Sequence, residues 1–479
     1  MRNRRKRNRS HSSQWELIHW LDRAGYFAAR TALTGAGLLL AGRQVLGHLV
    51  RRATKILMTD DYAENLLELY SAVRRTGLQN VGETNLRASS GQVIQRPLGS
   101  PKKMPDFSNL MFDAAQLAAL PTQLTTPVAL QTVIGPNAAK PLQLEIPITI
   151  SGMTYGWALT EAAKLALALG ATGAGTAVNT GQGPWLESSR RAARKLIYQY
   201  DRINLTKNPD HLRRSDAIEI QLGQGAAAGA GMVLPPQLVD ACLQREYGIG
   251  KGEAVVSHAR QPRMRRPQDL AALVDDLREK GDGIPIGVKM CPSQHLEQDL
   301  RLAVEAGVDF ITLDGASAAT KGSAPILQDD FGLPTLFALV RASDWLKKQN
   351  LKGEVTLIIS GGLKTPGDYL KALALGADVV AIGSIALFAI THTQVTHAIP
   401  FEPPTQAAWY GGKGAHLFDA EAGGESLKNY LLAAAEEMAQ GIRALGLTSL
   451  RELDKRHLFA LDRTTAEICG VPLGWEPQE

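Results

Sequence analysis

The sequence predicts an α/β fold, a (β/α)8 TIM barrel with an N-terminal helical arm and C-terminal helices, and three observations carry that expectation. Short apolar runs alternate with helical periodicities from Ile146 to Gly383, and eight such units can be counted. The last two runs, Ile358-Ile-Ser-Gly-Gly362 and Val379-Val-Ala-Ile-Gly-Ser384, both end in small residues. Strands and helices alternating at this spacing imply a parallel sheet, and eight units suggest closure. Loops after strands seven and eight of such barrels commonly cradle a phosphate on bare backbone N–H groups, which glycine lets come close. A barrel that binds a phosphorylated cofactor is therefore the first expectation. The competing architecture is a doubly wound open sheet, with its nucleotide near the first strand.

The elements read in order as follows. Asp60 to Thr76 has the spacing of an amphipathic helix, Gly77 to Pro105 is rich enough in Gly, Ser, Asn and Pro for a linker or wrapping arm, and Met111 to Ala119 suits a helix. Ile146 to Ser151 is strand one, followed by a helix over Leu159 to Leu169; Thr176 to Thr180 is strand two, followed by a helix over Leu186 to Leu196. Ala217 to Leu222 and Ala254 to Ser257 are strands three and four, with helical Pro236 to Arg245 between them. Pro285 to Met290 is strand five, with a helix over His295 to Ala306; Asp309 to Asp314 is strand six, with a helix over Pro334 to Lys348. Glu354 to Ser360 and Val379 to Gly383 complete the set around a helix from Pro366 to Gly376. Glu425 to Leu445 and Ser449 to Cys469 read as closing helices. The expected domains are a tail and apolar helix over 1–60, an arm packing on the barrel over 61–143, the barrel over 144–398 and a helical extension over 399–479.

Of 479 residues, 44% are hydrophobic and 21% charged, which excludes disorder for most of the chain. Six positive charges, Arg2, Arg4, Arg5, Lys6, Arg7 and Arg9, precede any acidic residue, so the net charge of +5 falls to −1 over the remainder. A nucleic-acid surface over the body is thereby disfavoured. Cys242, Cys291 and Cys469 stand far apart, against a disulfide scaffold and against a cysteine-only metal or cluster site, and suit a reducing, cytoplasmic compartment. Ala24 to Gly42 is apolar and of about membrane-spanning length but carries Arg30 and four glycines, which leaves it open between a membrane anchor and a helix packed on the body. His392 and His397 lack nearby carboxylates or cysteines, so no metal site is expected.

Glycine-rich strand ends recur beyond the opening pair. Ser151-Gly-Met-Thr-Tyr-Gly156, Asn179-Thr-Gly-Gln-Gly183 and Gln224-Gly-Ala-Ala-Ala-Gly-Ala-Gly231 each follow a strand, at the edge where barrels place their chemistry. With Asp216-Ala-Ile-Glu-Ile-Gln-Leu-Gly-Gln-Gly225, Val288-Lys289, Leu313-Asp-Gly-Ala316 and Ile359-Ser-Gly-Gly-Leu-Lys364, these motifs make the chain resemble the FMN-binding synthase domain of glutamate synthases. The resemblance is closest to stand-alone glutamate-synthase-like proteins, including the large subunit of N-methylglutamate synthase, and covers about Ser108 to Gly470. It implies an FMN-dependent oxidoreductase acting on CH-NH2 donors, which reduces a 2-imino acid made from 2-oxoglutarate and ammonia or an amine. The alternatives are an FMN oxidoreductase with another substrate and a flavin-binding partner subunit with little turnover. An electron-donor or amidotransferase subunit and a homo-oligomer are further expectations.

On that resemblance, Gly361, Gly362, Gly383 and Ser384 hold the FMN phosphate, and Gly152, Met153, Thr154, Tyr155, Asn179, Gln182 and Asp314 line the cofactor. Lys289, at the end of strand five, stabilises the anionic edge of the reduced flavin, with a rim salt bridge to Asp314 or Glu219 as its competing role. Glu219 and Gln224 contact ring or substrate. Departures fall at the substrate end. Relatives carry an acidic residue where Gln182 stands, Lys where Gln221 stands, and Ala-Lys-Pro-Gly where this chain has Ala226-Ala-Ala-Gly229, so the expected lysine is Ala227. Lys321, in the loop after strand six, replaces that charge from another direction as a substrate-binding residue. The cysteines of a [3Fe–4S] cluster are missing from Ala389 to Tyr410, so no iron–sulfur cluster is expected and electrons arrive from a reductant or partner flavoprotein. No glutaminase-type domain is expected ahead of the basic tail.

Overall fold

The computed structural model describes residues 41–61, 65–203 and 207–476. It divides into two compact units, Met1–Ile94 and Gln95–Glu479. In the first, a helix over 41–59 is followed by helices Leu66–Thr76 and Leu78–Ser90. Asn65 caps the middle one, its side chain accepting from Leu67 N while its amide donates to Ile56 O and Leu57 O. The helix Leu78–Ser90 stands where a linker was expected: Leu78, Val81 and Leu86 have helical spacing, and Gly77 and Gly91 only punctuate the ends. Among the described residues no helix is long and apolar enough to cross a membrane, and the segment 24–42, apart from its last two residues, lies outside them.

The second unit is built on eight parallel strands closed into a barrel. They are β1 (Ile148–Ile150), β2 (Val178–Asn179), β3 (Leu196–Tyr200), β4 (Ala217–Gln221), β5 (Ile286–Met290), β6 (Phe310–Asp314), β7 (Thr356–Ser360) and β8 (Val379–Ile382). Each pairs with its successor, and β8 closes on β1 with Ala381 opposite Thr149. The helices that follow them in turn are α1 (Glu161–Gly173), α2 (Glu187–Ala192), α3 (Pro209–Arg213), α4 (Asp269–Lys280), α5 (Leu296–Glu305), α6 (Thr335–Lys348), α7 (Pro366–Ala374) and α8 (Ser384–Thr391).

Eight strands were expected and eight are found, but they are not the same eight. Leu196–Tyr200 is the third strand, buried at all five positions and paired with β2 and β4, although Leu196 was expected to end a helix and no strand was expected there. The run Arg190-Arg-Ala-Ala-Arg-Lys195 leads into it without a Gly or Pro breaker, so helical periodicity runs on past the true stop at Ala192. Val255–Ser257, expected as strand four, pairs antiparallel with Met232–Leu234 in a ribbon outside the barrel.

Two expected helices are also corrected. Leu110–Phe112 is a strand, paired antiparallel with Leu458–Ala460. Of the stretch 449–469 only Arg463–Cys469 is α-helical, because Leu458 and Ala460 alternate inward and Asp462 starts a new helix by accepting from Thr465 N. The long closing helix is present as α9 (Ala420–Ala444).

A hairpin, Thr132–Ile134 with Leu142–Leu144, shares a buried cluster with Ala177, Ile197, Ala217, Phe310, Ile358, Val379 and Ala381 from the barrel strands. These strand residues lie toward the amino ends and centres of their strands, so the hairpin plugs one end of the barrel and leaves the carboxyl rim for chemistry. A side cluster of Tyr155, Trp157, Leu186, Ile203, Leu234, Val239, Leu243, Tyr247 and Val255 joins the antiparallel ribbon to the loop after β1. The Thr160 N–Ala408 O and Tyr410 N–Ala158 O hydrogen bonds, around an isolated bridge between Leu159 and Trp409, stitch the segment ahead of α9 to the same loop.

Candidate active site

At the carboxyl ends of the strands, polar side chains stand where the apolar runs stop. Glu219 of β4 is buried, and its carboxylate is a hub: Asn179 Nδ2 of β2 and Gln199 Nε2 of β3 donate to Oε1, each at 2.8 Å, and Thr312 Oγ1 of β6 donates to Oε2 at 2.8 Å. Three donors supply what a buried carboxylate needs. Asn179 Oδ1 accepts in turn from Gly181 N at 2.9 Å, so the hub also fixes the loop after β2.

Lys289 of β5 is 2% exposed. Its ammonium lies 3.7 Å from Asp314 Oδ2 and donates to Ser151 Oγ at 3.3 Å. The rim salt bridge is therefore formed with Asp314, and Glu219 is held by neutral donors instead. Asp314 Oδ2 also accepts from Gly225 N at 2.9 Å, which anchors the loop after β4. Gln224 latches that loop to the one after β6: Gln221 Nε2 donates to its Oε1 at 2.7 Å, and its own Nε2 donates to Thr320 Oγ1 at 3.0 Å. Thr320 donates on to Gly225 O at 2.8 Å. Ala227 is fully buried within this closed loop.

Gln182 is 2% exposed, and neither Nε2 nor Oε1 has a partner; Gln221 Oε1 is likewise buried and unpartnered. Met153 and Thr154 belong to the loop after β1, where Met153 O accepts from Lys164 Nζ at 2.9 Å. Tyr155 turns its hydroxyl away, to within 3.4 Å of Cys242 Sγ, and its ring meets Tyr410 edge-on at 5.9 Å. Lys321 lies over the Trp409 ring, 4.5 Å from its centroid, and burial pushes its ammonium down to about 8. Among the described residues no carboxylate forms an ion pair with it.

The two glycine ends differ. Gly361 (φ +110°) and Gly362 (φ +71°) are packed against the loop after β6, where an added Cβ at Gly362 would fall 2.7 Å from Ser317 Cβ. Gly383 precedes α8, whose first turn has no side-chain cap, and a Cβ there would meet nothing within 4 Å.

Sequence reasoning did not single out Gln199, Thr312 or Lys164. Gln199 was hidden by the missed strand, although one amide inside the run Leu196-Ile-Tyr-Gln-Tyr200 is a usable signal. Lys164, alone among the apolar residues of α1, is another. Away from the rim, a cleft of about 260 Å³ between α3 and α4 is lined by Tyr200, Asp201, Lys207, Gln261, Arg263 and Asp276. Asp201 there binds Lys207 and accepts from Gly183 N, and burial raises its pKa. Among the described residues no group of three His, Cys, Asp or Glu is arranged to hold a metal ion.

Fold and rim together define a closed parallel (β/α)8 barrel with a buried, amide-rich and glycine-lined carboxyl edge. Residues 88–448 match the family model described as the conserved region in glutamate synthase, and the chain belongs to that family. It is 35% identical over 422 residues to a glutamate synthase large subunit-like protein of Rhizobium meliloti, covering 83% of this chain and 94% of that one. It is 30% identical over 322 residues to an archaeal-type glutamate synthase [NADPH] of Dehalococcoides mccartyi, covering 64% of each, so the chain spans under two thirds of that relative. Among solved structures, a flavocytochrome b2 variant with benzoylformate is similar over 78% of this chain and 80% of its own, with 16% identity and a TM-score of 0.47.

Proposed function

We propose that the chain is an FMN-dependent oxidoreductase of glutamate-synthase type, which reduces a 2-imino acid formed from 2-oxoglutarate and ammonia or an amine. Family membership supports the class of reaction. The observation that carries the cofactor is Gln182: a buried carboxamide with neither polar atom satisfied costs about 1–3 kcal/mol per group unless a ligand completes it. The pyrimidine edge of a flavin offers an N–H and carbonyl oxygens, which match an amide's acceptor and donor.

The residues present fit FMN at both ends. Uncapped amides at the start of α8 and the open space beside Gly383 suit a phosphate oxyanion, with Ser384 as a hydroxyl donor. Gly361 and Gly362 bring the loop after β7 close to that end. Gly152, Met153, Thr154 and Asn179 provide the ring side, and Lys289 holds positive charge against its N1–C2=O edge, with Asp314 keeping the ammonium in place. The cofactor supplies hydride chemistry to the imino carbon.

The chain's own residues bind, orient and exclude water. The Glu219 hub immobilises Asn179 and Gln199, so their amides cannot rotate out of the site. The Gln224 latch closes the loops after β4 and β6 over the mouth. Lys321, free of any carboxylate partner among the described residues, binds a substrate carboxylate. Ala227 favours a second reading, an oxo acid with a single carboxylate, since that loop offers no second cation. The three free cysteines are scattered, in keeping with electrons entering from an external reductant or a partner flavoprotein.

The test is spectroscopic and then catalytic. The purified chain is expected to show, or regain with FMN, the two visible flavin bands. After anaerobic reduction, 2-oxoglutarate with ammonium is expected to reoxidise the flavin and yield glutamate. A protein that takes up no flavin overturns the cofactor; a flavoprotein that makes no glutamate but is reoxidised by a monocarboxylic 2-oxo acid with ammonium selects the second reading.

A further inference from the structure

Lys164 is the fourth residue of α1 and 3% exposed. Both features count against a cation, because a helix start carries positive partial charge and burial strips the ammonium of water. No carboxylate offsets this among the described residues, and burial alone pushes the group down to about 7. Its three protons are all used on main-chain carbonyls: Met153 O at 2.9 Å in the loop after β1, and Asn179 O at 3.2 Å and Thr180 O at 2.7 Å at the end of β2.

These two loops also touch directly. A Cβ at Gly181 would lie 2.4 Å from Met153 C and O, and one at Gly152 would lie 2.8 Å from Asn179 Oδ1. At Gly181 backbone thus packs on the backbone of Met153, while Gly152 packs on the Asn179 and Gln199 side chains. Lys164 reaches both loops from the helix below and links them by hydrogen bonds.

We propose that Lys164 is a positioning residue: by donating to both loops at once, it holds the β1 and β2 loops in the register that receives the flavin ring. The inference rests on the flavin reading above. Glu219 fixes the β2 loop as well, from inside the barrel through Asn179, so that loop is held by both Lys164 and Glu219. The N–H groups of the two β2-loop peptides are held as well, Thr180 N on Ile197 O and Gly181 N on Asn179 Oδ1, so these peptides are fixed at both ends.

The test uses the full chain with Lys164→Met, which keeps the length of the side chain and removes its donors. Lys371→Met is the control: Lys371 also donates to a carbonyl, Phe107 O, but on α7. Lys164→Met is expected to weaken FMN binding by about tenfold or more, the equivalent of one charge-assisted hydrogen bond network lost, and to shift the visible bands of the bound flavin. Lys371→Met is expected to leave affinity and bands unchanged. A folded Lys164→Met chain with the wild-type dissociation constant and spectrum overturns the proposal. If Lys164→Met does not fold, Lys164→Gln keeps two N–H donors and is expected to lose about threefold to tenfold, with wild-type affinity overturning the proposal instead. Should the wild-type chain bind no FMN, the flavin reading falls by itself. Hydrogen exchange of the ligand-free chain over 152–156 and 180–183 then decides the clamp: faster exchange in Lys164→Met supports it, and unchanged exchange overturns it.

Discussion

Thr312 on β6 donates to Glu219 on β4 at 2.8 Å, passing over the intervening β5. With Asn179 and Gln199 on the other oxygen, one carboxylate ties four of the eight strands just beneath the rim. Glu219→Gln replaces an acceptor with a donor opposite two amide N–H groups or a hydroxyl. At least one buried donor must lose its partner, which costs about 1–3 kcal/mol. The expected result is a folded chain with lower Tm and weakened FMN binding, measured by thermal melts and by flavin titration. Wild-type values for both would mean that the hub is dispensable.

How far such a hub can be foreseen depends on the strand that carries each partner. Glu219 and Lys289 could be picked out as polar residues near the ends of apolar runs bounded by glycine or proline. Gln199 could not, because the arginine-rich segment before Leu196 continues a helical pattern without a breaker, and only pairing with β2 and β4 shows where the helix stops. The opposite error at Val255–Ser257 has the same origin: a β-branched run predicts extended backbone but not its partner, here Met232–Leu234. Gly361, Gly362 and Gly383 were legible as glycines at strand ends. That Gly361 is pressed against Thr335 and Ala318 and Gly362 against Ser317, while Gly383 stands open, is a property of tertiary packing alone.

Lys289 and Asp314 form the buried ion pair of the rim, with side chains 3% and 7% exposed. Lys289→Met leaves Asp314 without a countercharge, and breaking a buried pair from one side costs about 3–5 kcal/mol. Adding Asp314→Asn removes the stranded charge, so the double variant is expected to recover most of the lost stability in denaturant melts. If Lys289 faces the flavin as proposed, flavin reduction is expected to stay slow in both, because each lacks that cation. Recovery of activity in the double variant would assign Lys289 a purely structural role.

Lys321 provides a pH signature. Burial lowers its ammonium to about 8, so the cation is present below that pH and lost above it. Affinity for an anionic substrate is expected to fall as pH rises through about 8, seen as a rising KM at saturating FMN. Lys321→Met is expected to show the high KM at every pH and to abolish the inflection. Trp409→Leu removes the ring under the ammonium, restores hydration and is expected to move the inflection to higher pH. An inflection that persists in Lys321→Met would belong to another group.

Lys164 makes a prediction about stability that its neighbours do not confound, since burial is the sole cause of its shift. The folded-state value, about 7, lies below the unfolded value of 10.5. Below about 7 both states carry the proton and the cost of burying the charge is present in full. Between about 7 and 10.5 the unfolded chain binds a proton that the folded chain has released, so stability rises with pH over that window. The slope attributable to this group approaches about 1.4 kcal/mol per pH unit, the value for one proton. Measured as the difference between wild type and Lys164→Met in denaturant melts at matched pH, this rise is expected only in the wild type. The neutral amine has two protons for three carbonyls, so the same titration loosens the loops even as the chain gains stability. Flavin affinity is therefore expected to decline as pH rises through about 7 and then level off while global stability continues to climb, and an affinity that rises together with stability would contradict the clamp.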